Sequence, residues 1–224
     1  MPATTSVSLE IYETLKAKII NFELMPGQLL MVQQLSKELE ISRTPVREAM
    51  VRLKEDGFVQ EASGRKFRVT EVTWEFISNL YKVRIILETT AVRESANTIT
   101  KLQIKALRQL VNRMEKSLKS GDYDGLIETD MDFHNYILSL LNNSIIFDWM
   151  GRMKDHQQRI RYLTSGIEGR LAESIVEHSR FVDSIEHGDF AKAEAMLREH
   201  LETTVNDIQK YRSGGNHIAS SIIK

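Results

Sequence analysis

The stretch Asp130-Met-Asp-Phe-His134 sets a carboxylate and an imidazole four residues apart, a separation that stacks both on one side of a helix. Such a pair is either a local hydrogen bond at the edge of a core or half of a metal site. Two more histidines follow on apolar stripes: His178 between Ile175 and Phe181-Val182, and His200 after Met196-Leu197. His134 itself shares a stripe with Ile127, Asp130, Ile137, Leu138 and Leu141. One histidine on an apolar face is ordinarily a satisfied core residue. Three, with an aspartate one turn from the first, suit a first-row divalent ion held between facing helices. The 224 residues include no cysteine, so thiolates can neither hold that ion nor act as nucleophiles.

Inward cations form a second group. Arg84 shares its stripe with Ile77, Leu80, Tyr81, Leu87 and Ala91, and a buried guanidinium needs an anion. Glu88, one turn on, is the plain partner; the carboxylate of a small effector is the functional one. His156, beside Met153, Ile160 and Leu163, lines a cavity or simply packs, and Arg159 and Arg161 are further candidates for holding an effector. His187, just before Gly188, reads as a structural helix end.

The elements that must position these groups are mainly helical. All three prolines lie within the first 45 residues. The pattern there gives a helix from Ser8, a Pro26-Gly27 turn, and a helix near 32–39. A third helix follows, capped by Ser42 or Thr44, with Pro45 in its first turn and Gly57 at its end. A two-residue period around Ser63-Gly64 then marks a β-hairpin. From Thr73 onward six helices are expected, near 74–97, 101–119, 122–141, 144–163, 168–186 and 190–211, with Thr100/Gln103 as a capping box. The fold class is thus mainly α: residues 1–72 form a winged helix-turn-helix, 73–212 an antiparallel all-helical bundle, and 213–224 a flexible tail.

The net charge of −1 excludes nothing, but residues 43–68 carry seven Lys and Arg against four Asp and Glu. In a winged helix-turn-helix the third helix enters the major groove by its N-terminal end, where Arg43, Thr44 and Arg47 lie. Arginine suits a bidentate contact to guanine. The wing tip Ser63-Gly64-Arg65 reaches phosphate or the minor groove. No apolar run spans a membrane and the first residues lack a secretory pattern, so a cytoplasmic protein without membrane partners is expected.

The segments MPGQLL, LSKELEISRTPVREAMVRLKEDGFV and SGRKFRV resemble the DNA-binding domain of the GntR superfamily of bacterial transcriptional regulators. DMDFHNYI and EHSRFVDSIEHGDFAKAEAMLREHL resemble the FCD effector-binding domain of its FadR subfamily; six helices, rather than seven, look like the VanR-type branch. The resemblance implies DNA contacts at Arg43, Thr44, Arg47, Gly64 and Arg65. It also implies a divalent metal on Asp130, His134, His178 and His200, with zinc the first expectation and nickel or manganese as alternatives. A homodimeric repressor is implied, reading a palindromic operator with half-sites roughly 34 Å apart and responding to a small carboxylic acid. The competing reading is a metal-dependent enzyme acting on a small carboxylic acid at the same Asp/His site. Against it, the chain has no His-Glu-x-x-His helix, no Gly-rich phosphate loop and no obvious general base.

Overall fold

The structure, a computed structural model, describes residues 3–63, 66–213 and 222–223, with side chains from residue 7 onward. It forms two compact units, Met1–Thr73 with His217–Lys224, and Trp74–Asn216. The boundary lies one residue after the position expected from the sequence.

The first unit begins with α1 (Ala3–Ile20), whose Ile11, Leu15 and Ile19 recur at helical spacing and are buried. α1 starts at Ala3, ahead of the expected start at Ser8, which is an interior residue of the helix. β1 (Leu29–Met31), α2 (Val32–Glu38) and α3 (Arg43–Glu55) follow, and α1 and α2 both pack on α3. α3 turns Pro45, Val46, Ala49, Met50 and Leu53 inward. Ser42 occupies its N-cap with extended backbone but its side chain makes no capping bond. At the other end the Gly57 N–H donates to Lys54 O at 3.0 Å and the Phe58 N–H to Leu53 O at 2.8 Å. That is a Schellman closure, for which the positive φ of Gly57, 79°, is required.

β2 (Val59–Ala62) and β3 (Lys66–Val69) make the expected hairpin. The sheet has a third strand: β1 pairs antiparallel with β3, Leu30 opposite Phe67, giving the order β1-β3-β2. Three residues are too few to show a period of two, so β1 left no readable signal.

The second unit contains α4 (Trp74–Ser95), α5 (Lys101–Ser120), α6 (Tyr123–Ser139), α7 (Ser144–Ser165), α8 (Arg170–Glu186) and α9 (Phe190–Ser213). α4 packs against α9 and α6, α5 against α6 and α8, α8 against α9, and α7 mainly against α6. Side-chain caps fix the starts of α5, α6 and α7. Thr100 and Gln103 form the capping box, Asp122 accepts from the Gly125 N–H at 3.0 Å, and Asn143 accepts from the N–H groups of Ile145 and Ile146. Among the described residues no helix is long and apolar enough to cross a membrane. The expected tail, 213–224, falls largely outside the described residues. Of its described members, Ser213 ends α9, while Ile222 and Ile223 are buried and Ile223 bridges Val72 in parallel.

Candidate metal centre and DNA-contact face

Asp130 and His134 sit one turn apart on the inner face of α6, His178 on α8 and His200 on α9, and all four side chains are buried. One ring nitrogen from each histidine lies within 4.8 Å of the other two. His134 and His200 stack with centroids 5.3 Å apart, and the His178 ring is 4.5 Å from that of His200. Asp130 Oδ1 stands 3.8 Å from His178 Nε2 and 4.0 Å from His134 Nε2. Those separations exceed hydrogen-bond length, so the carboxylate faces the imidazoles without bonding to them.

A second layer of carboxylates aims the rings. His134 Nδ1 lies 2.6 Å from Glu88 Oε2, and Glu88 Oε1 accepts from Arg84 Nε at 2.8 Å. His200 Nδ1 lies 2.6 Å from Glu177 Oε2, and Glu177 also accepts from both terminal nitrogens of Arg170, at 3.1 and 2.8 Å. A carboxylate accepting at Nδ1 fixes the tautomer with its lone pair on Nε2. Among the described residues the Nε2 atoms of His134, His178 and His200, and His178 Nδ1, have no hydrogen-bond partner. A buried unpartnered polar atom costs roughly 1–3 kcal/mol. Three such nitrogens converging beside a carboxylate have the donor chemistry of a divalent-ion site, so the residues fit the ion that the sequence implies.

The electrostatics agree with lone pairs rather than protons at the centre. Burial, reinforced by Arg84 at His134 and by His200 at His178, pushes both rings well below the ordinary histidine range. Burial also lowers His200. Burial pushes Asp130 up, but Arg161, His134, His200 and Arg84 together outweigh it and hold the carboxyl below the usual aspartate value. Glu177 is pulled down to about 2: burial opposes this, and the hydrogen bonds from His200 and Arg170 win. For Glu88 burial prevails over Arg84 and its carboxyl is raised.

The effector candidates separate. Arg84 takes its plain partner, Glu88, within the second layer. Arg161 Nε lies 2.7 Å from Asp130 Oδ2 in an ion pair off the hydrogen-bond line, and its Nη2 has no hydrogen-bond partner among the described residues. Arg159, two residues away and so roughly 200° around α7, faces elsewhere; burial lowers its guanidinium to about 10. His156 packs edge-on against Phe76 with centroids 5.5 Å apart. Neither joins the histidine group. Glu177 and Arg170 do, and sequence reasoning missed both. Arg170 opens α8 as a cation in a first turn, and Glu177 is its partner at a separation of seven, a spacing that also marks one helix face.

In the first unit Arg43, Thr44 and Arg47 are exposed around the N-terminal turns of α3, opposite the face that Val46, Ala49 and Met50 bury. Gly64 and Arg65 of the expected wing tip lie outside the described residues.

Residues 7–69 match the model described as bacterial regulatory proteins, gntR family, and residues 79–203, more than half of the chain, match the FCD domain. The chain belongs to the gntR family of FCD-containing regulators. Among similar proteins, the HTH-type transcriptional repressor RspR of Escherichia coli is 23% identical over 209 residues, covering 93% of this chain and 92% of its own. Among solved structures, E. coli McbR/YncC is 24% identical with a TM-score of 0.69, covering 92% of this chain and 98% of that one. A Rhodococcus protein described as a putative transcriptional regulator GntR is 23% identical with a TM-score of 0.73, covering 92% and 100%. At these identities the solved structures speak for the fold. The family and its curated relatives are transcriptional regulators, not enzymes, so this gntR-family chain is a DNA-binding regulator.

Proposed function

We propose that this regulator represses transcription as a cytoplasmic homodimer, and that a small carboxylic acid bound at a divalent-metal site in the helical unit modulates its hold on a palindromic operator. In this reading Asp130, His134, His178 and His200 hold the ion, zinc first, with nickel or manganese as alternatives. The observation that carries it is the set of three buried imidazoles whose partnerless nitrogens converge beside Asp130. When bound, the ion offers a carboxylate open coordination positions, because the chain supplies four ligands and first-row ions accept up to six. Glu88 and Glu177 fix the tautomer and aim of His134 and His200, burial keeps the imidazoles neutral, and Arg161 stands at Asp130 where an incoming anion is drawn. In the first unit Arg43, Thr44 and Arg47, with Gly64 and Arg65 on the wing, contact the operator. The helical unit, residues 73–212, carries the dimer contact and sets the spacing of two α3 helices. An effector changes that spacing only by binding one arrangement of the bundle better than the other.

A thermal-shift screen of small carboxylic acids, with and without chelator, tests this. A true effector stabilises the metal-loaded protein by mass action and loses that effect with the metal. If no acid shifts the metal-loaded protein, or if every hit persists in chelator, the proposal fails. Turnover of a hit would instead revive the enzyme reading.

A further inference from the structure

The chain leaves the first unit at Thr73, builds the helical unit, and then supplies the first unit again with His217–Lys224. The described residues of that returning stretch are Ile222 and Ile223, 4% and 2% exposed, and Ile223 forms a parallel β-bridge with Val72. Consecutive side chains diverge by about 100° in a helix and by more in a strand, so burial of both isoleucines means that the pair is covered on more than one side. A segment resting on a surface would leave one of them in water. Val72 is itself buried and lies one residue before the first unit gives way to the second. Just upstream the backbone is already fastened: the Val69 N–H donates to Gln28 O and the Thr70 N–H to Phe58 O, each at 2.9 Å, and Thr70 Oγ1 donates to Gly57 O at 2.8 Å. α4 begins at Trp74, so Glu71, Val72 and Thr73 are the whole connection after Thr70, and Ile223 is bridged to the middle of it.

We propose that Ile222-Ile223 is a strap that pins the Glu71–Thr73 connection and so sets how tightly two DNA-binding units hold a two-part operator. This rests on the proposed homodimer and is independent of the metal and of the acid. When one head of a dimer is bound, the second binds at an effective concentration that its connection sets. Freedom in that connection is lost on binding, and ordering one backbone residue disfavours binding by roughly tenfold. A connection pinned beforehand has already lost that freedom, so the second head is preorganised. The strap acts where two heads must bind together. Arg43, Thr44 and Arg47 are exposed on α3 whereas the strap is buried at Val72, so contact of one head with one half-site leaves it untouched. The stretch RSGGNHIASSIIK reads as polar in sequence, and its isoleucine pair gains meaning only from a bridge to a residue far earlier in the chain.

Ile222→Ser with Ile223→Ser, in the full chain, releases the strap. Fluorescence anisotropy then compares an operator selected from random DNA by the wild type with the same DNA carrying one scrambled half-site. The wild type should prefer the intact operator. The double variant should lose at least about tenfold on the intact operator and hold the single half-site as the wild type does. Equal affinity of wild type and variant for the intact operator would overturn the strap. An equal loss on both DNAs would overturn it as well, because the segment would then serve only the folding of the DNA-binding unit. A wild type that holds the scrambled DNA as tightly as the intact operator would overturn the homodimer reading on which the strap rests. A second variant fixes which chain supplies the strap. The chain has no cysteine, so Val72→Cys with Ile223→Cys places two thiols at paired positions of adjacent β-backbones, within disulfide reach. Oxidation should give a disulfide within one chain, and the oxidised form should hold the intact operator at least as tightly as the wild type. A disulfide joining two chains, or none at all, would overturn the assignment of the strap to its own chain.

Discussion

Glu177→Gln isolates the carboxylate that aims His200. In the native chain Glu177 Oε2 lies 2.6 Å from His200 Nδ1, and its charge is shared with Arg170 at 2.8 and 3.1 Å. The amide keeps the volume but removes the charge that makes His200 a stronger donor of electrons, and its NH2 group cannot accept from Arg170. Losing such an outer partner lowers metal affinity about 10- to 100-fold, or roughly 1.4–2.7 kcal/mol. The fold should persist, because Arg170 retains Thr204 Oγ1 at 2.9 Å and Asp207 at 3.5 Å. Competition between the protein and a chromophoric chelator at neutral pH reads the affinity directly. Glu173→Gln, exposed on the same helix, controls for the loss of one negative charge and should leave affinity unchanged. Equal affinity in wild type and Glu177→Gln would refute the idea that the second layer orients the ligands; an equal drop in both variants would show that only bulk charge matters.

Arg47→Ala should weaken specific operator binding by about 1–3 kcal/mol while leaving non-specific DNA affinity nearly unchanged, measured by fluorescence anisotropy across a salt series. Glu88→Gln strands the buried Arg84 guanidinium and should destabilise the chain by about 3–5 kcal/mol in urea unfolding; replacing both, Arg84→Met with Glu88→Leu, should recover most of that loss. Tyr12 donates to Asp56 Oδ2 at 2.6 Å, tying α1 to the C-terminal end of α3, and burial followed by that bond raises its phenol to about 12. Because this folded value lies above the unfolded one of 10.0, its contribution is complete below pH 10 and lost as pH rises to about 12. Tyr12→Phe should therefore flatten the stability decline over that window and remove one late-titrating phenol from the ultraviolet titration.

Helix spacing made the inward stripes of α6, α8 and α9 readable, and with them the three histidines. Each lies on an apolar face where periodicity alone dictates burial. Caps were readable for the same reason: Thr100 and Gln103 bond within one turn, so their chemistry is local. What stayed hidden depends on contacts between distant elements. Glu177 looks like one acid among many on α8 until α9 brings His200 to it, and Arg161 is distinguished from Arg159 only by which side of α7 meets Asp130. β1 was hidden because its three residues pair with β3, 37 positions later at Leu30 opposite Phe67, and not with a neighbour in sequence.

Operator binding as a joint function of metal and acid tests the central claim most directly. With an operator selected from random DNA, the metal-loaded chain should lose affinity as a stabilising carboxylic acid is added. The same acid should change nothing after chelation or in His178→Ala. An acid response of equal size with and without the metal, or an operator affinity indifferent to acid in the loaded protein, would contradict the account.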